Sequence, residues 1–105
     1  MVLQVSRGQT VFVDLTLMNI SNIESGRAFA RIWLRNAQNV MPSAEQSYDF
    51  AIGETITKTF PFTISSTFNL GLTDVDIKIF DRSTRFADAQ VIAELLEQDQ
   101  ININQ

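Results

Sequence analysis

Apolar side chains recur at every second position through most of this chain, and over segments this short that period suits a strand with one buried face. Residues 9–19 show it most clearly, with Val11, Val13, Leu15 and Leu17 in one row and Asp14 and Thr16 between them. Residues 27–35 alternate again, and so does a shorter segment around 46–52. In residues 55–64, Thr55, Thr57 and Thr59 share one face while Ile56, Phe60, Phe62 and Ile64 share the other. Thr and Phe favour the pleated backbone. Pro61 has no N–H to give to a ladder, which confines it to an edge or a bulge. Residues 74–81 place Val75, Ile77 and Ile79 inward.

Turn formers separate these runs: the polar stretch 19–26, the stretch 36–39, the break at Met41-Pro42-Ser43, Gly53-Glu54, a loop over 65–73 and a turn over 82–85. Residues 89–96 fit a strand through Val91, Ala93 and Leu95, and also fit an amphipathic helix. The strand is preferred, because the preceding strand needs a partner and a short turn supplies one. Short alternating strands at regular spacing predict an all-β fold, an antiparallel immunoglobulin-like β-sandwich of about seven strands, with a small barrel as the alternative. The sandwich is expected over residues 1–96. Residues 97–105, rich in Gln and Asn with Ile101 and Ile103 alternating, read as a polar C-terminal tail, either disordered or added to a neighbour as an edge strand.

Composition then removes chemistry. The 105 residues contain no His and no Cys, so imidazole general bases, Ser-His-Asp triads, thiolate nucleophiles, disulfides and Cys/His zinc sites are absent from this chain. A hydrophobic fraction of 45% with only 4 Gly and 2 Pro is that of a globular domain, and its size fits a single core. Eight basic against 12 acidic residues leave a net charge of −4, which opposes binding to a phosphate backbone. No nucleic acid, membrane, metal or cofactor is expected as a partner, and no enzymatic activity. The N-terminus lacks the pattern of a secretory signal and no apolar run approaches membrane-spanning length. The expected location is therefore the cytoplasm or a virion, or a cell surface if a leader once preceded Met1.

Three blocks together resemble the immunoglobulin-like modules known as the bacterial cell-adhesion-related domain, and the fibronectin type III-like modules of bacterial surface proteins. The first runs from Val11 to Asn19 through a polar turn to Ala28–Leu34. The second is Ile52-Gly53-Glu54-Thr55 leading to Phe60-Pro61-Phe62-Thr63, and the third is Gly71 with Val75–Asp81. The long loop 65–73 departs from the tight turn usual in such modules. The resemblance implies a non-enzymatic spacer facing protein or sugar, without a defined ligand.

On the strand from Arg27 to Arg35 two registers are open. With Ala28, Ala30, Ile32 and Leu34 inward, Arg27, Phe29, Arg31, Trp33 and Arg35 form an exposed Arg/aromatic row, residue types enriched at the centre of protein interfaces. With the register reversed, Phe29 and Trp33 lie inside as core residues. Phe12, Met18, Phe80 and Leu70 or Leu72 also fall off the inward pattern, which points to a covered surface or to scattered exposure. The partner-binding candidates are thus Phe29, Arg31, Trp33, Arg35 and Phe80. Asp74, Asp76, Asp81 and Asp88 read as a solvated acidic edge rather than a calcium site, since D-x-D on a strand lacks the required loop carbonyls. Glu45, Glu54 and Glu94 offer carboxylates but no evident cleft for glycoside chemistry.

The expected function is a non-enzymatic structural protein that self-associates as a homo-oligomer or docks on a larger protein surface, such as a decoration protein on a virus or phage particle. The alternative is an adhesion or carbohydrate-binding accessory module of a prokaryotic surface protein, with Trp33 or Tyr48 as a stacking platform.

Overall fold

A computed structural model describes residues 2–21, 25–37 and 39–105. Of the turns expected at 19–26 and 36–39, Asn22–Glu24 and Gln38 lie outside the described residues. The fold is all-β. Its strands are β1 (Leu3–Ser6), β2 (Thr10–Met18), β3 (Gly26–Asn36), β4 (Asn39–Pro42), β5 (Gln46–Phe50), β6 (Thr55–Thr63), β7 (Gly71–Phe80) and β8 (Val91–Asn104).

They form two sheets of unequal size. The larger runs β1-β8-β7-β3-β4, with β5 also paired to β3; the smaller is the antiparallel pair β2-β6. Ala30, Ile32 and Leu34 of β3 oppose Ile79, Ile77 and Val75 of β7, so both inward rows sit side by side on one face of the larger sheet. Against that face lie Val11, Phe60, Phe62 and Ile64 from the smaller sheet and its continuation. Each fully buried Ile, Leu or Phe contributes roughly 1.5–3 kcal/mol by leaving water. The alternation in the sequence is therefore the inside-outside alternation of the sheets.

The segment read as strand or helix is strand, and it is longer than expected. β8 continues through residues 97–104, where its end pairs in parallel with β1 and carries Ile101 and Ile103 into the core. The stretch read from composition as a polar tail thus contributes two buried side chains. Two bulges interrupt its pairing with β7, one between Thr73 and Val75 and one between Ile79 and Phe80. At the first, Asp99 adopts φ 54°, and its N–H donates to the Asp74 carboxylate at 2.9 Å. Asp tolerates this left-handed conformation better than most side chains do. β1 and β4 are short strands that no alternation announced, and β7 starts inside the expected loop 65–73. Pro61 sits on β6 opposite Phe12, and its exposed position costs the core no hydrogen bond.

Polar groups close the ends of the sandwich. Asn36 is buried at the end of β3, where its Nδ2 donates to the Asn69 carbonyl at 2.9 Å and to Thr73 Oγ1 at 3.0 Å. Arg7 donates to the Phe68 carbonyl from Nε at 2.8 Å, tying the β1–β2 turn to the loop before β7. Gly8, at φ 87°, makes that turn possible, since a side chain there would be strained.

Candidate docking surface

The smaller sheet has only two strands, so it cannot cover the whole inner face of the larger one. Its coverage is lopsided. On β6, Phe60 and Phe62 are buried, whereas on β2 Val13, Leu15 and Leu17 are only partly so. Beyond β2 the core opens into a groove of about 510 Å³, lined by Leu3, Val11, Val13, Leu15, Ile77 and Leu95 among others. Such a volume lies within the range of ligand and peptide clefts.

Two open strand edges flank this groove. Among the described residues, β2 pairs with β6 alone, and residues 91–97 of β8 pair with β7 alone, because β1 reaches only residues 101–104. The β8 edge is apolar on both of its faces. Leu95 opposes Ile77 on the core side yet remains 50% exposed, Ile92 is 61% exposed, and Val91 and Leu96 are similarly open. Phe12 on β2 is 66% exposed. Unpaired backbone N–H and C=O groups beside apolar side chains form a template for an added strand.

The outer face of the larger sheet settles the register left open by the sequence. Ala30, Ile32 and Leu34 are buried and Trp33 points outward. Phe29, Arg31, Trp33, Arg35 and Phe80 therefore share one face, each half-buried. The row is largely occupied by its own neighbours. Arg31 lies 5.3 Å from the Trp33 ring centre and Lys78 5.2 Å, while Phe80 meets that ring edge-on at 6.4 Å. The Arg31 guanidinium also donates to the Ser43 carbonyl at 3.2 Å. Arg35 Nε donates to Asp76 Oδ2 at 3.1 Å, and Asp76, only 4% exposed, has no hydrogen-bond partner for its Oδ1 among the described residues. This ion pair bridges β3 and β7 on their outer face.

Other polar candidates resolve into structural roles. Glu45 accepts bonds from Ser83 Oγ at 2.8 Å, Thr84 N at 2.6 Å and Thr84 Oγ1 at 2.7 Å, which pins the loop between β7 and β8. Burial pushes its carboxyl up, but those bonds together with the Arg31 charge outweigh burial and hold it below the ordinary carboxylate value. Tyr48 is fully buried, so it offers no platform for a sugar ring. Its hydroxyl donates to the Leu15 carbonyl at 2.8 Å, and burial pushes the phenol up to about 12, with the Lys58 backbone N–H pulling the other way. Among the described residues no three acidic side chains gather closely enough to hold a metal ion. Asp81 instead accepts from the Gln90 N–H at 2.9 Å, and Asp88 pairs with Arg82 at 2.8 Å.

Sequence reasoning marked Phe12 as off the core pattern but did not single out Val91, Ile92, Leu95 and Leu96 as a surface. A signal was present, because Val91-Ile92-Ala93 and Leu95-Leu96 break the alternation and leave both faces of the strand apolar. Compared with protein-family models, with curated proteins and with solved structures, the chain matches none.

Proposed function

We propose that this chain is a non-enzymatic docking module of the β-sandwich type, working by accepting an extended segment of another protein along the open flank between β2 and β8. The observation that carries this reading is the coincidence of two unpaired strand edges with an apolar groove between them. An added strand gains backbone hydrogen bonds from the edge and side-chain burial from the groove. The non-catalytic part rests on the sequence, which lacks imidazole and thiol groups. The flank is preferred over the row Phe29, Arg31, Trp33, Arg35 and Phe80, because Arg31, Arg35 and Trp33 already have partners within the fold. Burial of Tyr48 removes one of the two platforms that a carbohydrate-binding module would use.

The test is an amide NMR titration of isotopically labelled protein with a short peptide of alternating Thr and Val, alongside sedimentation of the protein alone. Shifts confined to residues 91–97 and β2, abolished by Leu95→Lys, are expected. Absence of any shift along either edge, in a protein that sedimentation shows to be free of self-association covering the flank, overturns the proposal.

A further inference from the structure

The groove is not only apolar; its charge has one sign. Asp14 and Glu97 line the groove, and among the described residues no Lys or Arg does. Glu94 stands on the outer side of the same β8 edge, opposite Lys78, whose ammonium lies 3.9 Å away. Asp99 follows in the bulge. From residue 86 to the C-terminus the sequence holds Asp88, Glu94, Glu97 and Asp99 and no base at all. A strand that pairs with residues 91–97 therefore meets the acidic Glu97 on the groove side and, on the outer side, Glu94 with Lys78 behind it.

We infer that the segment accepted by this flank belongs to a different protein and alternates apolar with basic residues; this rests on the docking reading above. The apolar row enters the groove beside Leu95, Val13 and Leu15. The Lys or Arg row lies on the outer side beside Glu94, and one basic residue at the end of the inward row meets Glu97, which opposes Val75 on the groove side. A second copy of this chain is a poorer fit on charge. Its β1, β2 and β4 carry no base, its β8 would bring a second set of acids, and the Lys58 of β6 already lies 5.7 Å from the centre of the Tyr48 ring. The basic strand β3, with Arg27, Arg31 and Arg35, is enclosed between β7 and the pair β4 and β5. Like charges placed opposite each other across a strand pair destabilise it, and opposite charges stabilise it.

Three short synthetic peptides decide the matter, with Val at alternate positions, Lys, Thr or Glu between, and that same residue in place of the Val nearest Glu97. Each is titrated into the protein and followed at the amides of residues 91–97. Exposed pairs contribute little singly, so a few of them together predict about tenfold tighter binding of the Lys peptide than of the Thr peptide at low salt. At about 1 M salt, where charges are screened within about 3 Å, the difference disappears. Glu97→Lys, checked for an unchanged urea midpoint, lowers the preference for the Lys peptide and improves binding of the Glu peptide. Equal binding of the Thr and Lys peptides overturns the charge inference and leaves the docking reading standing. Absence of binding by all three overturns both. A concentration-dependent dimer that must dissociate before any peptide binds identifies a second copy as the occupant and also overturns the inference.

Discussion

Tyr48 couples the two sheets through one hydroxyl, and Tyr48→Phe isolates that coupling. The ring stays, and with it the stacking on Phe50 at 5.9 Å, so the apolar area buried hardly changes. What is lost is the 2.8 Å bond to the Leu15 carbonyl on β2. A lost bond plus buried groups left unsatisfied costs about 1–3 kcal/mol. For a domain of this size that lowers the Tm by roughly 5–15 °C. The phenol also has a pH signature. Its pKa is raised from 10.0 to about 12, so its contribution is complete below pH 10 and is lost as pH rises through 12. Two units amount to about 2–3 kcal/mol. Wild type should therefore lose stability across that window through this group, and Tyr48→Phe should not. Urea unfolding followed by fluorescence of Trp33 measures the first effect. Because the chain has a single Tyr, ultraviolet absorbance of the phenolate reads the second without ambiguity. A native phenol titrating near 10, or a Phe variant as stable as wild type, refutes the reasoning.

Glu45→Gln removes the charge that Ser83 and Thr84 bond to, with an expected cost of about 1–2 kcal/mol in urea unfolding at neutral pH. Since the folded pKa lies below 4.5, that stability is present above 4.5 and lost as pH falls through the folded value; the variant should show a flatter acid limb. Arg35→Leu strands the buried Asp76 carboxylate and should cost about 2–4 kcal/mol, while the double variant with Asp76→Leu recovers most of it in a double-mutant cycle. Leu96→Lys places a charge on the open β8 edge; its folding stability should change by under about 0.5 kcal/mol, while its aggregation on heating, followed by light scattering, falls.

The rows that face inward were legible without coordinates. Val75, Ile77 and Ile79 had to lie on one face of their strand, and Phe60, Phe62 and Ile64 on one face of theirs, because the side-chain period of a strand is two. The register at Trp33 was less so. Both rows of β3 include apolar residues, and only the pairing with β7 shows that the Ala/Ile/Leu row is inside. β1 and β4 were missed because four residues are too few to show a period. The buried Asn36–Thr73 contact was missed because a polar core pair has no apolar signature, and the hold of Ser83 and Thr84 on Glu45 joins residues far apart in the chain.

Local chemistry alone decided that this protein is a β-structure with an inward apolar row on most strands, that it holds no imidazole or thiol, and that its last twenty residues are acidic. The tertiary structure alone decided which edges remain open. Every non-proline residue offers the same backbone N–H and C=O, so no side-chain pattern encodes which strand a given edge will meet. The open flank exists because six strands gathered into one sheet and two into the other, a partition made by contacts between residues distant in sequence.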